Sequence, residues 1–129
     1  LYDERHDGSA RWQFRDVEVT TLDEVLGGSG RSFCVKVDVE GFEREVVDGA
    51  ARSLADTAHW ALMLEIEHMD RGYLAELGRT RDVFLKEKET NSLRRVPGGR
   101  VAVEDLLDDP ALHRQDCVVL SPPLAAEQR

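Results

Sequence analysis

Val35-Lys36-Val37-Asp38-Val39-Glu40-Gly41, with Trp60-Ala61-Leu62-Met63-Leu64-Glu65-Ile66 further along, decides the fold. Ser32 to Asp38 is a mostly apolar, β-branched run and reads as a strand buried on both faces; Trp60 to Ile66 reads as the next buried strand. Between them Phe42, Val46, Val47, Ala50, Ala51 and Leu54 recur at helical spacing, which predicts one amphipathic helix laid on a sheet. A strand, a helix and a strand with so long a connection require a parallel pair with a right-handed crossover, the unit of open α/β sheets.

Upstream, residues 1–16 are polar, broken by Gly8, and read as a loop or edge segment. Val17 and Val19 then alternate with polar neighbours. Thr21-Leu22-Asp23-Glu24 has the form of a capping box, so a short helix is expected from Leu22 to Leu26, stopped by Gly27-Gly28-Ser29-Gly30. Downstream, Tyr73 to Leu77 reads as a helix, Asp82 to Lys86 and Ser92 to Val96 as paired strands, and Val103 to Leu112 as a helix. Cys117 to Leu120 reads as a last short strand closed by Pro122 and Pro123, which cannot donate to a ladder.

Composition narrows the function classes. At 129 residues the chain can bury one modest core, so it is one domain or part of one. With 41% hydrophobic and 33% charged residues it is globular, and no apolar run approaches the roughly 20 residues of a membrane span. A formal net charge of -9 argues against nucleic acid, whose phosphates need clustered Lys and Arg, and favours a small neutral or cationic substrate. No basic segment followed by an apolar stretch opens the chain, so the expected location is cytoplasmic. The bias to Arg and Ala fits a GC-rich bacterial genome. Cys34 and Cys117 stand far apart without metal-ligand spacing and read as buried thiols, Cys34 in the core. Oligomeric state is not readable.

In open parallel sheets, ligands sit outside the carboxyl ends of the strands, and here those ends are acidic. Alternation puts Lys36 and Asp38 on one face, while the second strand leaves through Glu65-Ile66-Glu67-His68. Adjacent strands lie about 4.8 Å apart, so Asp38 and Glu65 can share a pocket with Lys36 as counter-charge. Two carboxylates and a histidine can bind a cation or take a proton from a hydroxyl. Each has a structural alternative: Lys36 as no more than a counter-charge to Asp38, Asp38 and Glu40 as caps of the following helix, and His68 as a solvated side chain. Gly41 and Gly49 read as backbone residues, one for a turn and one for close packing. Glu87-Lys88-Glu89 reads as a solvated turn, and Trp12 and Trp60 as packing residues.

Thr21-Leu22-Asp23, Lys36-Val37-Asp38-Val39-Glu40-Gly41-Phe42-Glu43, Glu45-Val46-Val47-Asp48-Gly49-Ala50 and Leu64-Glu65-Ile66, in that order, resemble the FkbM methyltransferase family. The resemblance covers Val17 to about His68. It implies part of a Rossmann-like class I methyltransferase fold, a mostly parallel sheet ending in antiparallel strands, that moves a methyl group from S-adenosylmethionine to a hydroxyl of a sugar, polyketide or related secondary metabolite. On this reading Asp38, Glu65 and His68 are catalytic, and Thr21, Asp38 and Glu40 face the cofactor. No residue is assigned to a metal, and dependence on a divalent cation is left open. The family's glycine-rich turn and ribose-binding acid have no counterpart here, and a full domain needs about 180 residues, so residues 1–129 read as a single incomplete domain. The implied strand order separates Cys34 from Cys117 by the strand holding Leu64. Two spacings of the sheet, about 9.6 Å, exceed the reach of a disulfide, and both thiols are expected free. The competing readings are a non-catalytic α/β binding module or truncated homologue, and a phospho-acceptor receiver domain, whose early acidic pair and late lysine are missing.

Overall fold

Thr21 and Glu24 start the first helix. In the computed structural model, which describes residues 15–28 and 30–128, α1 (Leu22–Leu26) opens with the Glu24 amide donating to the Thr21 hydroxyl and the Thr21 amide to the Glu24 carboxylate. Gly27 ends it at φ 63°, a conformation cheap only for glycine. The reading of residues 1–16 lies outside the described residues except for its last two, as does Trp12. Val17 and Val19 form no strand and stand exposed.

β1 (Phe33–Val37) is followed by α2 (Glu43–Asp48), α3 (Ala51–Asp56) and β2 (Trp60–Glu65). β1 and β2 pair in parallel from Phe33 opposite Trp60 to Val37 opposite Leu64, as the sequence requires. The single helix expected between them is two, and the break has a cause. At Gly49 the Asp23 amide takes the carbonyl (2.9 Å), and the Asp23 carboxylate accepts from the amides of Arg52 (3.1 Å) and Ser53 (2.7 Å), which begin α3. A helix start is thus capped by a side chain from another helix. Gly49 allows it: a Cβ there would sit 3.5 Å from that of Thr21 and 3.2 Å from the Glu45 carbonyl oxygen.

Next come α4 (Arg71–Thr80), the antiparallel pair β3 (Asp82–Glu87) and β4 (Leu93–Arg95), α5 (Arg100–Leu107), β5 (Leu112–Leu120) and α6 (Pro122–Ala126). Pro122 and Pro123 do more than close the strand, because they occupy the first turn of α6, where a missing N–H costs nothing. Leu112, expected at a helix end, instead begins β5. Glu87 is no solvated turn residue: it accepts from Arg94, Thr90 and Ser92, and Arg94 reaches on to Asp109.

The sheet order is β1-β2-β5-β3-β4. The expectation of a mostly parallel sheet is corrected here: among the described residues only β1 and β2 are parallel, because β5 inserts antiparallel to both β2 and β3, and β4 folds back on β3. Along β2 the inward residues Trp60, Leu62 and Leu64 join Val47, Leu54, Tyr73, Leu74, Val103 and Leu107 of the helices in the main core. The opposite face is covered near Phe84 and Leu120 by Leu124 and Ala125 of α6. It is bare at Cys34 and Met63. β1 is therefore not buried on both faces, and Cys34 is not a core residue; alternation turns it outward where no helix lies over it.

Both cysteines are free, with β2 between their strands. Burial pushes the Cys117 thiol up to about 12. Iodoacetamide should therefore modify Cys34 in the native chain and reach Cys117 only after unfolding; equal native rates would contradict the central place of β5. Leu64→Ala should cost about 2–5 kcal/mol in urea unfolding, whereas Met63→Ala, one residue along on the bare face, should cost far less.

Candidate functional site

Lys36, Asp38 and Glu65 lie on the outward face of the parallel pair. The inward positions of β1 and β2 carry Val35, Val37, Leu62 and Leu64, so the polar residues fall on the opposite side and lead to the carboxyl ends. The Lys36 ammonium donates to the Asp38 carboxylate at 2.8 Å. That hydrogen bond, with the charge behind it, holds the Asp38 carboxyl below its ordinary range. Glu65 moves the other way: desolvation, then the charges of Asp38 and Glu40, raise its pKa, and its Oε2 is buried with no hydrogen-bond partner. Two neighbouring carboxyls are thus driven apart, one towards the ionised and one towards the protonated form.

Beyond the strand ends, His68 Nδ1 lies 3.2 Å from Glu40 Oε2. With Nδ1–H donated to Glu40, Nε2 is left as the basic nitrogen. The pair is exposed, so it adds little to stability, but it is accessible to a ligand. One ligand atom each from Glu40, Glu65 and His68 lies within 4.8 Å of the other two, which makes this group a possible holder of a divalent cation.

The loop that carries Glu40 is held from beneath. Glu40 adopts φ 54°, unusual outside glycine, and Gly41 follows at φ 99°. On either side of Glu40 the amides of Val39 (3.3 Å) and Gly41 (3.4 Å) donate to Oε1 of Glu43. Glu43 is 1% exposed, and its Oε2 has no partner. Sequence reasoning passed over this residue except as part of a motif. The signal was present, because Glu43 precedes Val47 by four residues and Ala50 by seven and so shares their buried face.

The structure therefore brings Asp38, Glu40, Glu65 and His68 to one edge of the sheet. Thr21 stands elsewhere in this arrangement, its hydroxyl engaged in the α1 cap. It lines an open apolar groove of about 570 Å³ with Val19, Val25, Val39, Phe42 and Val46. Compared with protein-family models, with curated proteins and with solved structures, the chain matches none.

The two shifts act oppositely on stability. The depressed Asp38 stabilises the fold above the unfolded carboxyl pKa, and this is lost as pH falls through its folded value. The raised Glu65 favours the fold while protonated, and this is lost as pH rises through its folded value. Lys36→Met should move the Asp38 pKa upward in a carbon-detected carboxyl NMR titration. An unmoved value would show that the ion pair does not form in solution.

Proposed function

We propose that this chain is the acceptor side of an S-adenosylmethionine-dependent O-methyltransferase of the FkbM type. The observation that carries the reading is the convergence of Asp38, Glu40, Glu65 and His68 at the carboxyl end of a parallel pair, with the histidine oriented by a glutamate. The strand order supports it in one respect, since the strand holding Leu64 lies between those of Cys34 and Cys117, as the resemblance implies.

The donor, when bound, supplies a sulfonium-activated methyl group, so the protein's task is alignment and removal of one proton. The Val39 and Phe42 side of the groove offers an apolar wall, and Asp38 and Glu40, which flank Val39 in sequence, carry hydrogen-bond acceptors for the donor. The elements that would hold a donor most firmly, a glycine-rich turn and a ribose-binding acid, are not among residues 1–129. On the acceptor side, His68 Nε2 takes the hydroxyl proton as the oxygen forms its bond to carbon and the carbon–sulfur bond breaks. Glu40 holds the imidazole ring and stabilises the cation it becomes. Asp38, neutralised by Lys36, accepts a hydrogen bond from the acceptor, and Glu65 stands beside it at the strand end.

A second reading follows from the three ligand atoms within 4.8 Å: a divalent cation on Glu40, Glu65 and His68 would lower the pKa of the acceptor hydroxyl directly. The two differ in one readout, because a chelator leaves activity intact in the first and abolishes it in the second.

Calorimetric titration with S-adenosylmethionine, run on this chain and on the product of the longest reading frame containing it, tests the proposal. The 129-residue chain should not bind tightly, while the longer product should bind and transfer methyl to a hydroxylated acceptor. In that product His68→Gln should lower the rate by about 10²–10⁴-fold without weakening donor binding. Submicromolar binding to the short chain would mean that the cofactor site is misplaced. A longer product without transfer would leave a non-catalytic binding module.

A further inference from the structure

The contact of Glu40 with His68 joins two loops, and the two are held by different means. On the histidine side the backbone is fixed at both ends. Ile66 is fully buried and its amide donates to the Gln115 carbonyl at 2.7 Å; Met69 sits in the main core, and Asp70 caps α4 by accepting from the Tyr73 amide at 2.9 Å. His68 is carried on a short bridge between these anchors. The glutamate side is different. From Asp38 to Phe42 every residue is exposed, and none of these side chains belongs to the core. What ties this loop to the interior is Glu43, the first residue of α2, whose Oε1 takes the amides on both sides of Glu40.

The loop needs such a restraint, because Glu40 sits at φ 54° and Gly41 at φ 99°. The Glu40–His68 pair cannot supply it: both side chains are more than half exposed, and an exposed pair is too weak to hold a strained backbone. The two loops also touch, since a Cβ on Gly41 would sit 3.9 Å from the His68 carbonyl oxygen. A small turn of the loop therefore carries Glu40 away from the ring. Stability alone does not account for a glutamate at this place. Glu43 is 1% exposed with Oε2 unpaired, a cost that an apolar side chain of similar length avoids. The amides it holds belong to exposed residues and can turn to water once released.

We propose that Glu43 is the positioning residue of the Glu40–His68 pair: by fixing the amides of Val39 and Gly41 it sets the Glu40 carboxylate against Nδ1 and leaves Nε2 as the basic nitrogen of the ring. That Nε2 takes a proton in methyl transfer rests on the proposed function; the positioning does not. Glu43 acts through Glu40 and touches no reacting atom.

The test uses the 129-residue chain at about pH 8.5, well above the ordinary histidine pKa, where the ring is neutral and its nitrogen NMR shifts report which nitrogen carries the proton. Glu40→Gly suits the left-handed backbone, removes the partner and gives the spectrum of an unpaired ring. Glu43→Met should leave the melting temperature nearly unchanged and lower the Nδ1–H population of His68 at least about twofold, to the Glu40→Gly value. Glu43→Gln keeps an acceptor for both amides and should stay close to the parent chain. In the parent chain itself the Val39 and Gly41 amides should exchange with solvent about tenfold or more slowly than free amides, a measurement that needs no variant to fold. An unchanged ring in Glu43→Met, a ring disturbed as much by Glu43→Gln as by Glu43→Met, or unprotected amides at Val39 and Gly41 would overturn the positioning role. In the longer product Glu43→Met should lower kcat with little change in KM. Transfer at the parent rate by Glu43→Met, with the ring unchanged, would sink this inference alone; the expected tautomer shift without transfer by any form would sink the enzymatic reading alone.

Discussion

The insertion of β5 between β2 and β3 is the constraint on which the rest of the structure depends. Cys117, Val118, Val119 and Leu120 each face a residue of β2 on one side and of β3 on the other. Without β5 the parallel pair and the β3–β4 hairpin would be two small sheets with no hydrogen bonds between them. The strand is among the last elements of the chain, and its partners lie up to some sixty residues away, as in Ala61 opposite Leu120. Closing such separations before any ladder bond forms makes folding slow relative to a helical domain of equal length.

That strand also fixes the site. Its pairing sets Glu65 opposite Asp116 and, through β2, Lys36 opposite Met63, so that Asp38 and Glu65 emerge side by side on the outward face. A slip of one residue in either pairing would turn Glu65 inward and Leu64 out, exchanging a core leucine for a charge. The register is held because Leu62, Leu64, Cys117 and Val119 are all nearly inaccessible on the same side. Packing on one face thereby orders the chemistry on the other.

The strand-helix-strand unit was legible because its apolar periods are long and unambiguous, and so was the α1 capping box, where a four-residue motif specifies its own hydrogen bonds. What was not legible depended on partners distant in sequence. Nothing in residues 42–54 announces the break at Gly49, because its cause is Asp23. Ser32 to Asp38 looks like a strand with two buried faces, since hydrophobicity reports what a segment tolerates and not what covers it. The antiparallel insertion of β5 is equally silent in Cys117 to Leu120, a short apolar run that fits either direction. At the site, alternation placed Asp38 beside Glu65 correctly, whereas the nearness of Glu40 to His68 arises from two loops whose shapes no periodicity describes.

Glu43 explains how one of those loops keeps its shape. A left-handed glutamate is strained by roughly 1 kcal/mol or more, and in an exposed loop it would relax. At Glu40 it cannot relax without releasing the amides on both sides, Val39 and Gly41, which are tied to a single carboxylate oxygen inside the protein. Breaking those bonds would leave a buried carboxylate with neither oxygen satisfied, a larger cost than the strain. The buried acid therefore holds the exposed one in the orientation that meets His68.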